Sequence, residues 1–133
     1  MGEYKGWDIK TPKGILPASF IFKEGLEQTP NQIMDLDPRR TAEGLLVRNI
    51  LPYKVTSIRI ATVPMGLSKK KEFQSYFPSR ETIEIEYWNE ETNDYRKGKF
   101  YIPDVTWKRY GKINGEPYYL STVYELIGYG EKN

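Results

Sequence analysis

Glu84 and Glu86 are two carboxylates placed two residues apart in an alternating segment, so both project from the same side of a strand. A pair at that spacing would do acid–base work if its surroundings drove the two pKa values apart; the other reading is a solvated strand face. Glu90, Glu91, Asn93 and Asp94 gather oxygen ligands in one short stretch that would suit calcium. They lack the spaced, glycine-kinked pattern of a dedicated calcium loop, and a polar hairpin connection uses the same residues. The run Lys69-Lys70-Lys71 would meet phosphate or an acidic partner, or simply solvate a first helical turn. Cations and rings interleave through Tyr95, Arg96, Lys97, Lys99, Phe100, Tyr101, Trp107, Lys108, Arg109 and Tyr110. Single-stranded nucleic acids are gripped by such mixtures, and ordinary half-buried strands have them too. Trp88 and Trp107 are the first candidates for a carbohydrate platform, which requires coplanar rings on an exposed face.

The missing residue types decide more than those present. The chain has no Cys and no His, so thiolate nucleophiles, disulfides, thiolate metal sites and the commonest general base are all unavailable. Neither a glycine-rich phosphate loop nor a nucleophile elbow occurs. The expectation is a non-enzymatic protein with no cofactor and no metal. A net charge of +2 gives no strong electrostatic case for nucleic acid or anionic membrane. The amino terminus lacks the apolar run of a signal peptide and no segment reads as a membrane span, so synthesis and assembly in a cytoplasm are expected.

Candidate residues of this kind need a scaffold, and the pattern supplies one. At 133 residues the chain is long enough for one core. Eleven Tyr, three Trp and five Phe favour strands and interfaces. Residues 1–18, with three Gly and two Pro, read as an extended N-terminal arm with little regular structure, and 19–133 as a single domain. Strands are expected over 19–23 and 32–36, a strand or the end of a long loop over 42–50, and a strand from Lys54 to Thr62, where Thr56, Ile58, Ile60 and Thr62 share a face. A short helix is expected over about 68–77, with Ser68 as N-cap, Pro78 as stop, and Phe73, Tyr76 and Phe77 on one face. Three lysines in its first turns oppose the helix dipole.

Ile83, Ile85 and Tyr87 then alternate with Glu84, Glu86 and Trp88, and 95–102 returns as a partner whose basic residues face those acids. A strand resumes over Val105–Tyr110, Asn114-Gly115 makes a tight hairpin turn, and a last strand runs from Tyr118 to Leu126 or Ile127. The fold class expected is mostly β, an antiparallel β-sandwich or barrel flanked by one short α-helix.

The segments Gly98-Lys99-Phe100-Tyr101-Ile102-Pro103-Asp104-Val105-Thr106-Trp107, Ile113-Asn114-Gly115 and Tyr124-Glu125-Leu126-Ile127-Gly128-Tyr129-Gly130 resemble small tail proteins of phages and prophages of Gram-positive bacteria. The middle of the chain is similar too, from Arg48-Asn49-Ile50-Leu51-Pro52 through the short helix ending at Phe77-Pro78. The resemblance implies the β-sandwich and single helix of tail-tube and distal-tail subunits, and carries no active-site residues. It implies a structural virion subunit, assembled in the host cytoplasm with copies of itself in a ring of three or six and with neighbouring tail proteins. Nucleic acid would be met only as DNA passing through a tube. The assembly contacts expected are Tyr4, Trp7 and Ile9 on the arm, with Lys69, Lys70, Tyr95, Tyr101 and Tyr118. The alternative is a small β-barrel module that binds nucleic acid or carbohydrate.

Overall fold

The computed structural model describes residues 3–35, 39–40, 46–47 and 50–132, with the backbone alone described at 34–35, 39–40, 46–47, 50–53 and 131–132. In chain order the strands are β1 (Ile9–Thr11), β2 (Gly14–Ile15), β3 (Ile21–Asp35), β4 (Arg39–Arg40), β5 (Leu46–Val47), β6 (Ile50–Thr62) and β7 (Met65–Gly66). After the helix α1 (Leu67–Ser75) come β8 (Ile83–Asn89), β9 (Asp94–Tyr101), β10 (Arg109–Ile113), β11 (Glu116–Tyr119), β12 (Val123–Gly128) and β13 (Glu131–Lys132). The class is the one expected: mostly β, antiparallel, with a single helix.

β6 is the spine. β3 pairs with it along one edge, β12 and β13 along the other, and the ladder continues through β9 and β8 to β1 and β2. The alternation in its sequence is what buries it: Thr56, Ile58, Ile60 and Thr62 are all inside. The β8–β9 hairpin behaves the same way, with Ile83, Ile85 and Tyr87 buried, Glu84 opposite Lys99 and Glu86 opposite Lys97. Such cross-strand charge pairs contribute about 0.2–1 kcal/mol each.

The sheet curls far enough for β3 to come beside the end of β8. Trp88 N donates to Asp8 O at 3.0 Å, and Gln28 Nε2 donates to Trp88 O at 2.7 Å. Glu90 N then donates to Gln28 Oε1 at 2.8 Å, so a side-chain amide stands where a strand's backbone would continue the ladder.

α1 docks on the core through its aromatic face. Phe73 is fully buried, its ring centroid 5.4 Å from Phe20, 5.4 Å from Phe77 and 4.9 Å from Tyr124. The start of the helix differs from expectation. Gly66 occupies the N-cap position, because β7 pairs with β11 up to that residue and the chain turns helical at once. Ser68 bonds outward instead: its N and Oγ both donate to Glu116 Oε1, at 3.2 and 2.9 Å. That carboxylate, delivered by β11, offsets the lysines of the first turns.

Four other expectations change. Residues 1–18 are not an irregular arm throughout: β1 pairs with β8, and Ile9 and Leu16 are buried in the core. Apolar residues separated by Pro and Gly still enter a sheet edge when a partner strand offers free hydrogen bonds. β3 is one strand of 15 residues where two short ones were expected. The strand expected over Val105–Tyr110 begins later, at Arg109, and the last strand splits at 120–122. There Thr122 N donates to Thr62 Oγ1, so the chain passes from the small sheet β10–β11–β7 to the large one. Of the strand or loop end expected over 42–50, Leu46–Val47 pairs with β4 and Ile50 opens β6, while 42–45 and 48–49 lie outside the described residues.

Candidate assembly surface

The expected contact residues fall in three places. Tyr4, Trp7 and Tyr95 come together, and Trp88 joins them. Trp7 stacks on Tyr95 with centroids 4.1 Å apart and planes at 23°. Trp88 meets Tyr4 and Tyr95 edge-on, at 82° and 73°. The Tyr95 hydroxyl ties the chain's first residues to β9, accepting from Lys5 N at 2.9 Å and donating to Trp7 O at 2.8 Å. Tyr4 is half-exposed at the rim, its phenol bonded to the Asp8 carboxylate. Burial, with the Asp8 charge beside it, raises its pKa above the ordinary tyrosine value.

Lys70 belongs to a second cluster, on the helix and the small sheet. Its Nζ lies 4.8 Å from the Trp107 ring centroid and 4.2 Å from that of Tyr119. Arg109 also approaches Tyr119, 5.7 Å from its ring centroid. A hydrogen bond from Arg109, together with the charges of Lys70 and Arg109, lowers the Tyr119 pKa. Lys69 lies over Phe20 and donates to Ser19 O at 3.2 Å. Tyr118 sits half-buried opposite Gly66. In a third place Tyr101 meets Tyr129, with centroids 5.6 Å apart, and the Tyr129 hydroxyl bonds Thr82 Oγ1 and Glu81 O. Ile9 is the correction in this set: only 2% exposed, it packs inside the subunit and offers nothing to a neighbour.

Residues outside the expected set also carry exposed apolar surface. Tyr110 is 68% exposed, and Ile113 and Leu120 also present apolar surface on the β10–β11 hairpin. Every residue of β10 faces solvent, and Tyr110 is the extra residue of a bulge that ends at Gly111, whose φ is +120°. The Asn114-Gly115 turn revealed the hairpin in the sequence, but alternation alone did not say that neither face of β10 is covered.

The chemistry-bearing candidates resolve into structural roles. Glu84 and Glu86 face Lys99 and Lys97 across the ladder, and Lys10 also lies opposite Glu86. In the 89–94 turn, Glu91 Oε1 accepts from Asn31 Nδ2 at 2.6 Å. Asp94 accepts from Thr92 Oγ1 and Arg96 Nε, and those bonds hold its pKa below the ordinary carboxylate value. Among the described residues no group of three or more acidic side chains is placed to hold a metal ion, and no helix is long and apolar enough to cross a membrane. Trp88 and Trp107 are half-buried in separate clusters and edge-on to their neighbours, an arrangement without the coplanar faces of a carbohydrate platform.

A family model covers residues 1–129, described as a family of unknown function, DUF6711. The chain belongs to this family. Among curated proteins none matches the sequence. Two solved structures share the fold of this DUF6711 member over nearly its whole length. One is a chain of the virion of a native gene transfer agent particle, 17% identical, with a TM-score of 0.55, covering 98% of this chain and 96% of that one. The other is a chain of the tail of an empty gene transfer agent particle determined with C6 symmetry, 16% identical, with a TM-score of 0.50, covering 100% and 99%. At these identities the likeness is one of fold.

Proposed function

We propose that this protein is a structural subunit of a phage or prophage tail, in a phage of a Gram-positive host. It is made in the host cytoplasm and built into the virion by contacts between copies of itself and with neighbouring tail proteins. The observation that carries the reading is the end-to-end match in fold to chains of a phage-like particle, one of them in a tail with sixfold symmetry. Several features support it. The paired carboxylates Glu84 and Glu86 stand opposite lysines in the strand ladder, and the 89–94 carboxylates hold a turn. Rings and cations are exposed at several separate places, as a subunit with neighbours on more than one side requires. On this reading the chain performs no catalysis, and its copies close a ring of six or three.

Light scattering and negative-stain microscopy across a concentration series test the proposal. Rings, or stacks of rings, at the higher concentrations are the expected result. A monomer at every concentration and salt, alone and with the proteins encoded beside it, would overturn it.

A further inference from the structure

The charges of this subunit are segregated along β6. At the Thr62 end the chain enters β7, and the small sheet and α1 share one surface: Glu116 bonds Ser68, and Lys70 and Arg109 flank Tyr119. Lys69, Lys70 and Lys71 open the helix there, with Lys108, Arg109 and Lys112 on or beside β10, against Glu72 and Glu116, and Asp104 and Glu125 line a cavity beside Lys108. At the Thr56 end, Asn31 bonds both Thr56 and Asn89 and brings in the β8–β9 turn with the first residues of the chain. Glu3, Asp8, Glu90, Glu91 and Asp94 gather there, offset by Lys5 and Arg96. Six residues of strand separate the two ends, about 20 Å at ~3.3 Å per residue.

Each end also carries an exposed ring: Tyr110 at 68% among the cations, Tyr4 at 49% among the acids. An apolar centre inside a charged rim is the anatomy of a specific interface. The β10 edge itself is a poor template for strand addition, because the Tyr110 bulge interrupts its ladder. Contact at this end is therefore through side chains.

We propose that the basic β10–β11 hairpin of one copy docks on the acidic β8–β9 turn of the next, head to tail. The occupant is a second copy of this chain because the two surfaces complement each other in sign and both belong to it. A contact between different patches of identical subunits repeats, and closes a ring or extends a stack according to the rotation at each step. The inference rests on the tail-subunit reading and names the residues that read the neighbour.

A charge swap tests it. K108E/K112E reverses the sign of the β10–β11 hairpin, so that it and the β8–β9 turn are both acidic, and E3K/E90K makes both basic, at exposed side chains whose charged groups no described partner holds. By sedimentation and microscopy, each variant alone is expected to need at least tenfold more protein than the parent to assemble. An equimolar mixture is expected to recover parental assembly, with alternating copies, and to lose it again in high salt. Matching melting curves establish that both variants fold. If either fails to fold, K108Q/K112Q and E3Q/E90Q carry the same direction of loss at smaller size. Variants that assemble as the parent does, or a mixture no better than its parts, would overturn the head-to-tail contact and leave the tail-subunit reading standing. A parent that stays monomeric throughout would overturn both.

Discussion

Asn31 and Asn89 hold the two ends of the curled sheet together. Asn89 Nδ2 donates to Asn31 Oδ1 at 3.2 Å, and Asn89 Oδ1 accepts from the backbone N–H groups of Glu91 and Thr92 at 2.9 and 3.2 Å. Asn31, at φ +46°, adopts the left-handed conformation that asparagine tolerates better than most residues, and its own N–H donates to Thr56 Oγ1. Asn89 is wholly buried, so its amide cannot be replaced by water without cost.

Asn89→Ala is therefore expected to lose about 2–4 kcal/mol, since two backbone donors and the Asn31 amide lose their partner together. Asn89→Asp adds a buried carboxylate close to Glu91 and is expected to be at least as damaging at neutral pH, recovering part of the loss on acidification. Urea unfolding of both variants at pH 7 and pH 4.5 measures this. An alanine variant within about 0.5 kcal/mol of the parent would show that the seam adds nothing to global stability.

Tyr95→Phe removes one hydroxyl that serves both Lys5 N and Trp7 O. The stacked ring remains, so Trp7 keeps its contact and the core around Ile9 is undisturbed. The expected result is local: faster amide exchange at Lys5 by tenfold or more, with the amides of β1 unchanged and global stability lowered by no more than about 1–2 kcal/mol. Hydrogen exchange read by mass spectrometry separates this from general loosening, which would accelerate β1 as well.

Much of this fold was legible because the pattern of β6 and β8 has one clear period. Thr56, Ile58, Ile60 and Thr62, like Ile83, Ile85 and Tyr87, could face only one way. The helix was legible through Phe73, Tyr76 and Phe77, and the β10–β11 turn through Asn114-Gly115. What the sequence concealed depended on partners distant along the chain. Ile9 reads as part of a loose arm until β8 offers its edge. Ser68 reads as a helix cap until Glu116 arrives from β11. Gln28, Asn31 and Asn89 are unremarkable polar residues in sequence, and only the curl of the sheet makes them a seam. The assembly candidates fared similarly: Tyr4, Trp7 and Tyr95 do meet, whereas the far more exposed Tyr110 is distinguished only by the absence of a covering layer.

The tyrosines are expected to titrate apart. Tyr119 ionises below the ordinary phenol range because Arg109 hydrogen-bonds its oxygen and Lys70 adds charge. Tyr124 ionises above it because it is buried. The signs for stability follow. Tyr119 has a depressed folded pKa, so its contribution is present above the unfolded value near 10 and is lost as pH falls through the folded one. Tyr124 has a raised folded pKa, so its contribution is full below about 10 and is lost as pH rises through the folded value. Absorbance titration of the parent is expected to show one early phenol that moves upward in Arg109→Gln, with the late ones unmoved. An early phenol that persists unchanged in that variant would assign it to a residue other than Tyr119.

Gly25 lies hard against the spine strand where β3 bulges away from β6. Between the pairs Ile21–Thr62 and Leu26–Ile60, five steps along β3 face two along β6, so the chain bulges outward and carries Phe22 into solvent. A Cβ on Gly25 would lie 2.5 Å from Ala61 O, a contact with backbone that no rotamer change can relieve. Gly25→Ala is therefore expected to cost about 1–3 kcal/mol, by displacing either the bulge or the spine strand. Ala61 lies opposite Val123, so a displaced spine strand would also disturb β12, whereas a displaced bulge would not. Amide exchange in Gly25→Ala tells these apart: acceleration confined to β3 assigns the strain to the bulge, and acceleration extending through Val123 assigns it to β6. A variant as stable as the parent would mean that the close approach relaxes freely in solution.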